Sequence, residues 1–130
     1  MLFTKIEEIV AWKRGCRLAV NIYKITAKGA LEKDWGLRDQ MRRAAVSISS
    51  NIAEGYERDT APEFKRFASI AKGSCGELRT QLYIAQALDY ITKSDAESLL
   101  QECMEISSMI AGLKKSFKTP NKKLSKPNKE

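Results

Sequence analysis

The stretch AESLLQECMEISSMIAGLKKSF, residues 96–117, decides the fold of this 130-residue chain. Its apolar side chains recur at alternating spacings of three and four residues, at Ala96, Leu99, Cys103, Ile106, Ile110, Leu113 and Phe117. That period places them on one face of an α-helix and differs from the two-residue alternation of a strand. The stretch therefore predicts a long amphipathic helix, and we place its capping box at Ser94 and Glu97.

Three segments upstream show the same helical period. One begins with Thr60 as its cap and Pro62 in the first turn, and we expect it to run to about Ile91. The segment before it is predicted to end near Gly55, where glycine tolerates the left-handed conformation of a helix C-cap. The first helix is predicted to stop before Gly29.

These segments predict one all-α domain over residues 1–118, an antiparallel up-down-up-down four-helix bundle, because short connections favour antiparallel neighbours. Residues 119–130 contain two prolines and four lysines and are predicted to form a basic, disordered tail. No apolar run approaches the roughly 20 residues that span a bilayer, and Glu7 and Glu8 interrupt any signal-like start. We expect a cytoplasmic protein without membrane contact.

The first helix has apolar residues on two faces. We assign the stripe Ile9, Trp12, Cys16, Ala19 and Tyr23 to the core. A second stripe on the other side would then remain for another copy of the chain, since a helix apolar on two faces exposes more surface than one small bundle covers. We therefore predict a homo-oligomer with this second stripe at its interface: Ala11, Gly15, Leu18, Ile22 and Ile25. Isolated apolar surface residues are the alternative interpretation.

The chain has three cysteines and no histidine. The missing histidine removes the commonest general base and transition-metal ligand, so we expect no enzyme, no cofactor and no metal site. Cys16 and Cys75 are predicted to lie near one level of the bundle and Cys103 towards its other end, as reduced, small apolar residues.

Two features of the middle helices leave alternatives open. Gly73 and Gly76 are costly inside a helix, and close approach of the preceding helix, rich in alanine and serine, is the simplest reason for them. Asn51 and Glu54 are interpreted either as solvated side chains or as a buried polar link that fixes the register of the helices.

The net charge of the chain is +7, and residues 118–130 contribute +4 of it. The remaining excess is concentrated in a few clusters, which would face phosphates if they shared one surface. The candidate nucleic-acid-binding residues are Arg42, Arg43, Lys65, Arg66 and Lys72, with Lys122 and Lys123 in the tail.

The segments QMRRAAVSISSNIAEG (residues 40–55), EFKRF (63–67) and AKGSCGEL (71–78) resemble the four helix bundle protein family, also known as the 23S ribosomal RNA intervening-sequence proteins. The resemblance implies a bacterial up-down bundle that assembles as a homopentamer and has no associated enzyme activity. It marks seven signature residues as structural: Arg43, Asn51, Glu54, Gly55, Gly73, Ser74 and Glu77. In architecture the chain also resembles the accessory proteins of diversity-generating retroelements, basic pentamers that bind nucleic acid and a reverse transcriptase.

Two functions follow as expectations. The first is electrostatic binding of RNA or DNA by a non-enzymatic oligomer, and the second is an adaptor role, as an accessory subunit of a reverse transcriptase or another nucleic-acid enzyme. A third hypothesis, an enzyme using Glu54 or Cys75, has no further support in the sequence.

Overall fold

Five α-helices follow a short 3-10 turn in the computed structural model, which describes residues 5–116 and contains no strand within them. They are α1 (Val10–Ile25), α2 (Gly29–Lys33), α3 (Trp35–Glu57), α4 (Ala61–Ala87) and α5 (Lys93–Lys115). The all-α prediction is confirmed, and the short α2 is an element that the sequence analysis missed. The predicted tail lies outside the described residues. Between residues 5 and 116, no helix is long and apolar enough to cross a membrane.

Side-chain caps start the three C-terminal helices. Asp34 accepts a hydrogen bond from the Leu37 amide (3.1 Å) at the start of α3, and Thr60 accepts one from Glu63 (3.4 Å) at the start of α4, as predicted. The cap of α5 is Thr92, which accepts from the Asp95 amide at 3.0 Å, so the assignment to Ser94 was wrong by two residues.

The end of α4 also differs from the prediction. The helix ends at Ala87 because Asp89 adopts a positive φ of 60°, which reverses the chain before Ile91. Ile91 is nevertheless buried, with 9% of its surface exposed. Its apolar character therefore reflects packing of the turn on the core rather than continuation of the helix.

Gly55 is not a C-cap. The helix α3 continues to Glu57, and the positive φ values among residues 5–116 belong to Gly29 and Asp89. A Cβ at Gly55 would lie 3.0 Å from Cβ of Phe67 and 3.3 Å from the Phe64 ring, closer than side chains normally approach. Glycine is required here because the start of α4 packs directly on the backbone of α3.

The assignment of the two faces of α1 was also wrong. The stripe predicted to contact another copy is the buried one, and Ala11, Gly15, Leu18 and Ile22 face the core while Ile25 packs partly buried against it. Gly15 explains why, since a Cβ at that position would collide with the Ser49 hydroxyl of α3.

In the opposite stripe, Ile9 at the N-cap of α1 is buried as predicted, and the residues after it are more exposed. Trp12, Cys16 and Ala19 are only partly buried, and Tyr23 is 46% exposed. The Trp12 and Tyr23 rings are too large for the close contact of α1 with α3, and Ala19 and Tyr23 line a hollow at the outer edge of that contact.

The helix α3 packs against α1, α2 and α4, while α5 packs against α4 and α1. Arg14 on α1 ties α1 to α5, donating to Glu102 at 2.8 Å and 2.6 Å and also to Glu105. Glu105 accepts a further bond from Gln101 at 2.9 Å, and these two donors lower its pKa. The guanidinium and the two carboxylates hold these helices in one register.

Replacement of Gly55 by alanine is expected to destabilise the fold by about 1–3 kcal/mol, because the added methyl group overpacks the contact with Phe67. Gly112 is the matched control, since a Cβ there meets nothing within 4 Å, and Gly112→Ala should stabilise the protein by up to about 1 kcal/mol. Urea unfolding of both variants measures the effect. Equal stabilisation by both substitutions would contradict the close packing at Gly55.

Glu105→Gln is expected to flatten the loss of stability in acid. Because folding lowers the pKa of Glu105 below its ordinary 4.5, its contribution is present above that pH and is lost as the pH falls through the folded-state pKa. Urea midpoints at pH 7 and pH 3 should therefore differ less for the variant than for the unmodified protein. Glu97, an exposed partner of Lys93 at 3.9 Å, supplies the control, and Glu97→Gln should leave the difference unchanged. If both variants reduce the difference between the two urea midpoints equally, the hydrogen bond from Arg14 to Glu105 is not the cause of the pH dependence.

Candidate nucleic-acid interface

Arg42 links α3 to the C-terminal end of α1. Its Nε donates to Thr26 Oγ1 at 2.8 Å, and its guanidinium lies 4.5 Å from the centre of the Tyr23 ring. Thr26 is fully buried and donates in turn to the Ile22 carbonyl at 2.7 Å. The geometry therefore gives Arg42 a structural role, because contact with a phosphate would cost these bonds.

Arg43 is the next residue and lies about 100° further round α3, between the side of Arg42 and the side that faces α4. It is exposed and lines a groove of about 630 Å³ between α3 and α4, together with Glu77. No ion pair of residues 5–116 includes Arg43. Its charge is therefore available to a ligand.

Polar signature residues join α3 to α4 beneath this groove. The Asn51 amide donates to the Ser47 carbonyl (2.9 Å) and hydroxyl (2.8 Å), and the Ser74 hydroxyl bonds Ser47 Oγ at 2.8 Å. This chain of hydrogen bonds matches the polar-link alternative for Asn51. Glu54 instead lies on the surface, 3.0 Å from Arg58, as in the solvated alternative.

The basic residues of α4 separate into two groups. Arg66 is 3.5 Å from Glu63 and stacks on Phe67 at 4.3 Å, so its charge is partly neutralised. Lys65 and Lys72 take part in no ion pair of the described residues. They belong to the same side of α4, because seven residues make nearly two helical turns.

Arg79 is a basic residue that the sequence analysis missed. It follows Lys72 by seven residues, and this repeat was the available signal. Its Nε is buried and donates no hydrogen bond to any described residue. Lys122 and Lys123 lie outside the described residues.

The cysteines are placed differently from the prediction. Burial raises the pKa of Cys75 to about 11 and that of Cys103 to about 12, and proximity to Cys75 contributes to the second shift. The two thiols are therefore neighbours, and the expectation that Cys103 lies towards the other end was wrong. The turn near Asp89 brings these positions opposite each other. No group of three or more metal-ligating side chains occurs within the described part of the chain.

The helix α3 does not lie close to Gly73 or Gly76. A Cβ added at either position meets nothing within 4 Å, so the packing reason predicted for them was wrong. They lie on the outer side of α4, next to the side that bears Lys65 and Lys72.

A comparison with known protein families identifies the family of the chain. The model of the 23S rRNA-intervening sequence protein family matches residues 7–112. The chain belongs to this family. The resemblance inferred from the sequence motifs is thereby confirmed.

A similar fold occurs in a protein of known structure. It is a protein of unknown function from the S23 ribosomal protein family of Bacteroides thetaiotaomicron, with 25% sequence identity and a TM-score of 0.75. The alignment covers 82% of this intervening-sequence protein and 99% of that chain. No curated protein is significantly similar to the chain.

Proposed function

We propose that this protein is a non-enzymatic, cytoplasmic homo-oligomer that binds RNA or DNA electrostatically. The observation that carries the proposal is a set of basic side chains without carboxylate partners among the described residues: Arg43, Lys65, Lys72 and Arg79. Free cations on rigid helices release counterions from a phosphate backbone when they bind it. The net charge of +7 favours the same partner.

The subunit is inferred to be an antiparallel up-down-up-down bundle. Contacts between α3 and α4 support this arrangement, because Gly55 lies against Phe67 whereas the earlier Ser47 bonds the later Ser74. The contacts between α1 and α3 also support antiparallel packing, because the earlier Trp12 contacts the later Ser49 and the later Tyr23 contacts the earlier Arg42.

The outer edge between α1 and α3 is the proposed interface between subunits. Val20 and Tyr23 of α1 and Val46 of α3 are 51%, 46% and 42% exposed. They line an apolar hollow of about 540 Å³ together with Ala19. Such a cluster on a small protein typically marks a contact surface. Five subunits are expected from the family resemblance.

A non-enzymatic role is supported by the chemistry of the thiols. Cys75 is fully buried and its raised pKa keeps it protonated near neutral pH, whereas a cysteine nucleophile requires the thiolate. Glu54, the other residue considered for catalysis, lies on the surface beside Arg58.

The adaptor function is the second candidate. Ile70 and Ile84 of α4 are 42% and 45% exposed, and Ile84 lines the groove that contains Arg43 and Glu77. Apolar side chains beside opposite charges suit a protein partner, such as a subunit of a reverse transcriptase or another nucleic-acid enzyme.

Binding of mixed-sequence RNA is expected to weaken steeply with salt. Fluorescence anisotropy with nuclease-treated protein should show binding at 50 mM salt and a loss of about 10³-fold or more by 200 mM if six or more phosphates are contacted. Light scattering of the same sample should give about five times the 14.6 kDa subunit mass. No binding at 50 mM salt would reject the nucleic-acid role.

Val20→Glu is expected to lower the mass of the oligomer, because it places a charge in the proposed apolar interface. Val10 is the matched control, since it is a valine of the same helix with 53% exposure. Val10→Glu should leave the mass unchanged in light scattering. An unchanged mass for Val20→Glu, with the helical circular dichroism retained in both variants, would place the interface elsewhere.

A further inference from the structure

Three basic residues form a row along α4. Lys65, Lys72 and Arg79 are spaced by seven residues, so their side chains leave the same side of the helix about 10 Å apart. Arg79 lowers the pKa of the thiols of both Cys75 on α4 and Cys103 on α5, and Lys72 lowers that of Cys75. Lys72 and Arg79 flank the buried Cys75 at spacings of three and four residues and lie nearly opposite Ser74, which bonds α3. The row therefore follows the edge of α4 nearer to α5 and borders the outer face of α4.

Within residues 5–116, no carboxylate forms an ion pair with the row. Ion pairs of residues 5–116 engage other basic side chains, on Arg14, Arg38, Arg58, Arg66 and Lys93. Arg79 is partly buried, and its Nε donates no hydrogen bond within that range. An anion at the exposed end of this guanidinium would give its charge the partner that the described residues do not provide.

A strip of small residues lies beside the row. Ser69, Gly73, Gly76 and Thr80 follow one another at spacings of four, three and four residues, which places them on one face of α4. Alanine would be more favourable than glycine in this helix, and a Cβ at either glycine meets nothing. Packing within the described chain therefore does not account for the two glycines.

We propose that this outer face of α4 is the track on which a nucleic-acid phosphate backbone lies. The inference rests on the proposed function and gives it a location. The regularly spaced cations supply charge for an anionic polymer, and the glycines let that polymer approach the helix backbone closely. Phe64 and Phe67 of α4 are buried and Tyr83 is its exposed aromatic residue, which is too few rings for a run of stacked bases, so the contact is to phosphates.

The track and the subunit interface are on different sides of the molecule. The helix α1 packs on α3 and α5, and α4 packs on the same two helices, so α1 and α4 lie across from each other. An oligomer formed through the edge of α1 and α3 therefore leaves the outer face of α4 open in every subunit. Each copy then adds its own row of cations to the same polymer.

The decisive variant replaces the row by Lys65→Gln, Lys72→Gln and Arg79→Gln. Lys13 and Arg17 of α1 with Lys33 of α2 give the matched control, called the α1 control, because they are exposed, absent from the ion pairs of residues 5–116, outside the hollow at the proposed subunit interface and equal in total charge. Anisotropy with a mixed-sequence 20-base-pair RNA duplex is measured against salt. The α4 variant should bind at least about tenfold more weakly at 50 mM salt, with a salt slope reduced by about 2–3 per contacting subunit.

The control should lose less than about threefold under the same conditions, as expected for charges away from the contact. If the unmodified protein does not bind the duplex, the proposed function itself fails. If it binds and the α1 control loses as much as the α4 variant, the location is wrong while the function survives. Displacement of the duplex by polyglutamate of equal charge, at equal concentration, would overturn the assignment to a nucleic-acid backbone.

The glycines allow a second measurement that does not alter charge. Gly73→Ala with Gly76→Ala should raise the unfolding temperature, as Gly112→Ala should, because all three sites are open. Only the α4 pair should weaken binding of the duplex, by about threefold or more. Tighter or unchanged binding by this more stable variant would show that close approach at the glycines is not used.

Discussion

The close packing of α3 against two neighbours is the constraint on which the structure depends. On one side Gly15 of α1 lies against Ser49, and on the other Gly55 lies against Phe64 and Phe67 of α4. A helix that receives neighbours on two sides at short distance needs small residues on both, which explains the alanines and serines of residues 44–50. The polar members of that run satisfy their hydrogen bonds across the same contacts, since Ser49 donates to the Trp12 carbonyl and Ser47 bonds Ser74.

This constraint shows why one part of the fold was predictable from the sequence and another was not. The stripe of α5 is apolar on one face only, and Cys103, Ile106 and Ile110 are all fully buried. In α1 both faces are apolar, and hydrophobic period alone ranks Trp12 and Tyr23 above Ala11 and Gly15 for the core. The choice is made by shape, because the short distance to α3 admits glycine and excludes the large aromatic rings. That information resides in the partner helix rather than in α1.

The same distinction applies to the candidate site. A list of basic residues does not separate a guanidinium bonded to Thr26 and stacked on Tyr23 from one that is exposed, although Arg42 and Arg43 are adjacent in sequence. The separation depends on which side of α3 each residue faces and on hydrogen bonds formed across helices. The heptad spacing of Lys65, Lys72 and Arg79, in contrast, is visible in the sequence once the extent of α4 is known. Sequence therefore locates basic residues whose arrangement depends on one helix alone, and it does not locate those whose role depends on contacts with another helix.

The helical glycines of this chain are of two kinds, which differ in whether a neighbouring helix lies against them. At Gly15 and Gly55 a side chain would collide with a neighbouring helix, so the cost of glycine in a helix is offset by packing within the subunit. At Gly73 and Gly76 no such contact exists, so nothing in the described chain offsets the unfavourable free energy of glycine in a helix. Glycines of the second kind lie beside cations that also have no partner. Two unrelated deficits, one of packing and one of charge, thus meet on a single face of α4, and one anionic polymer at close range would satisfy both.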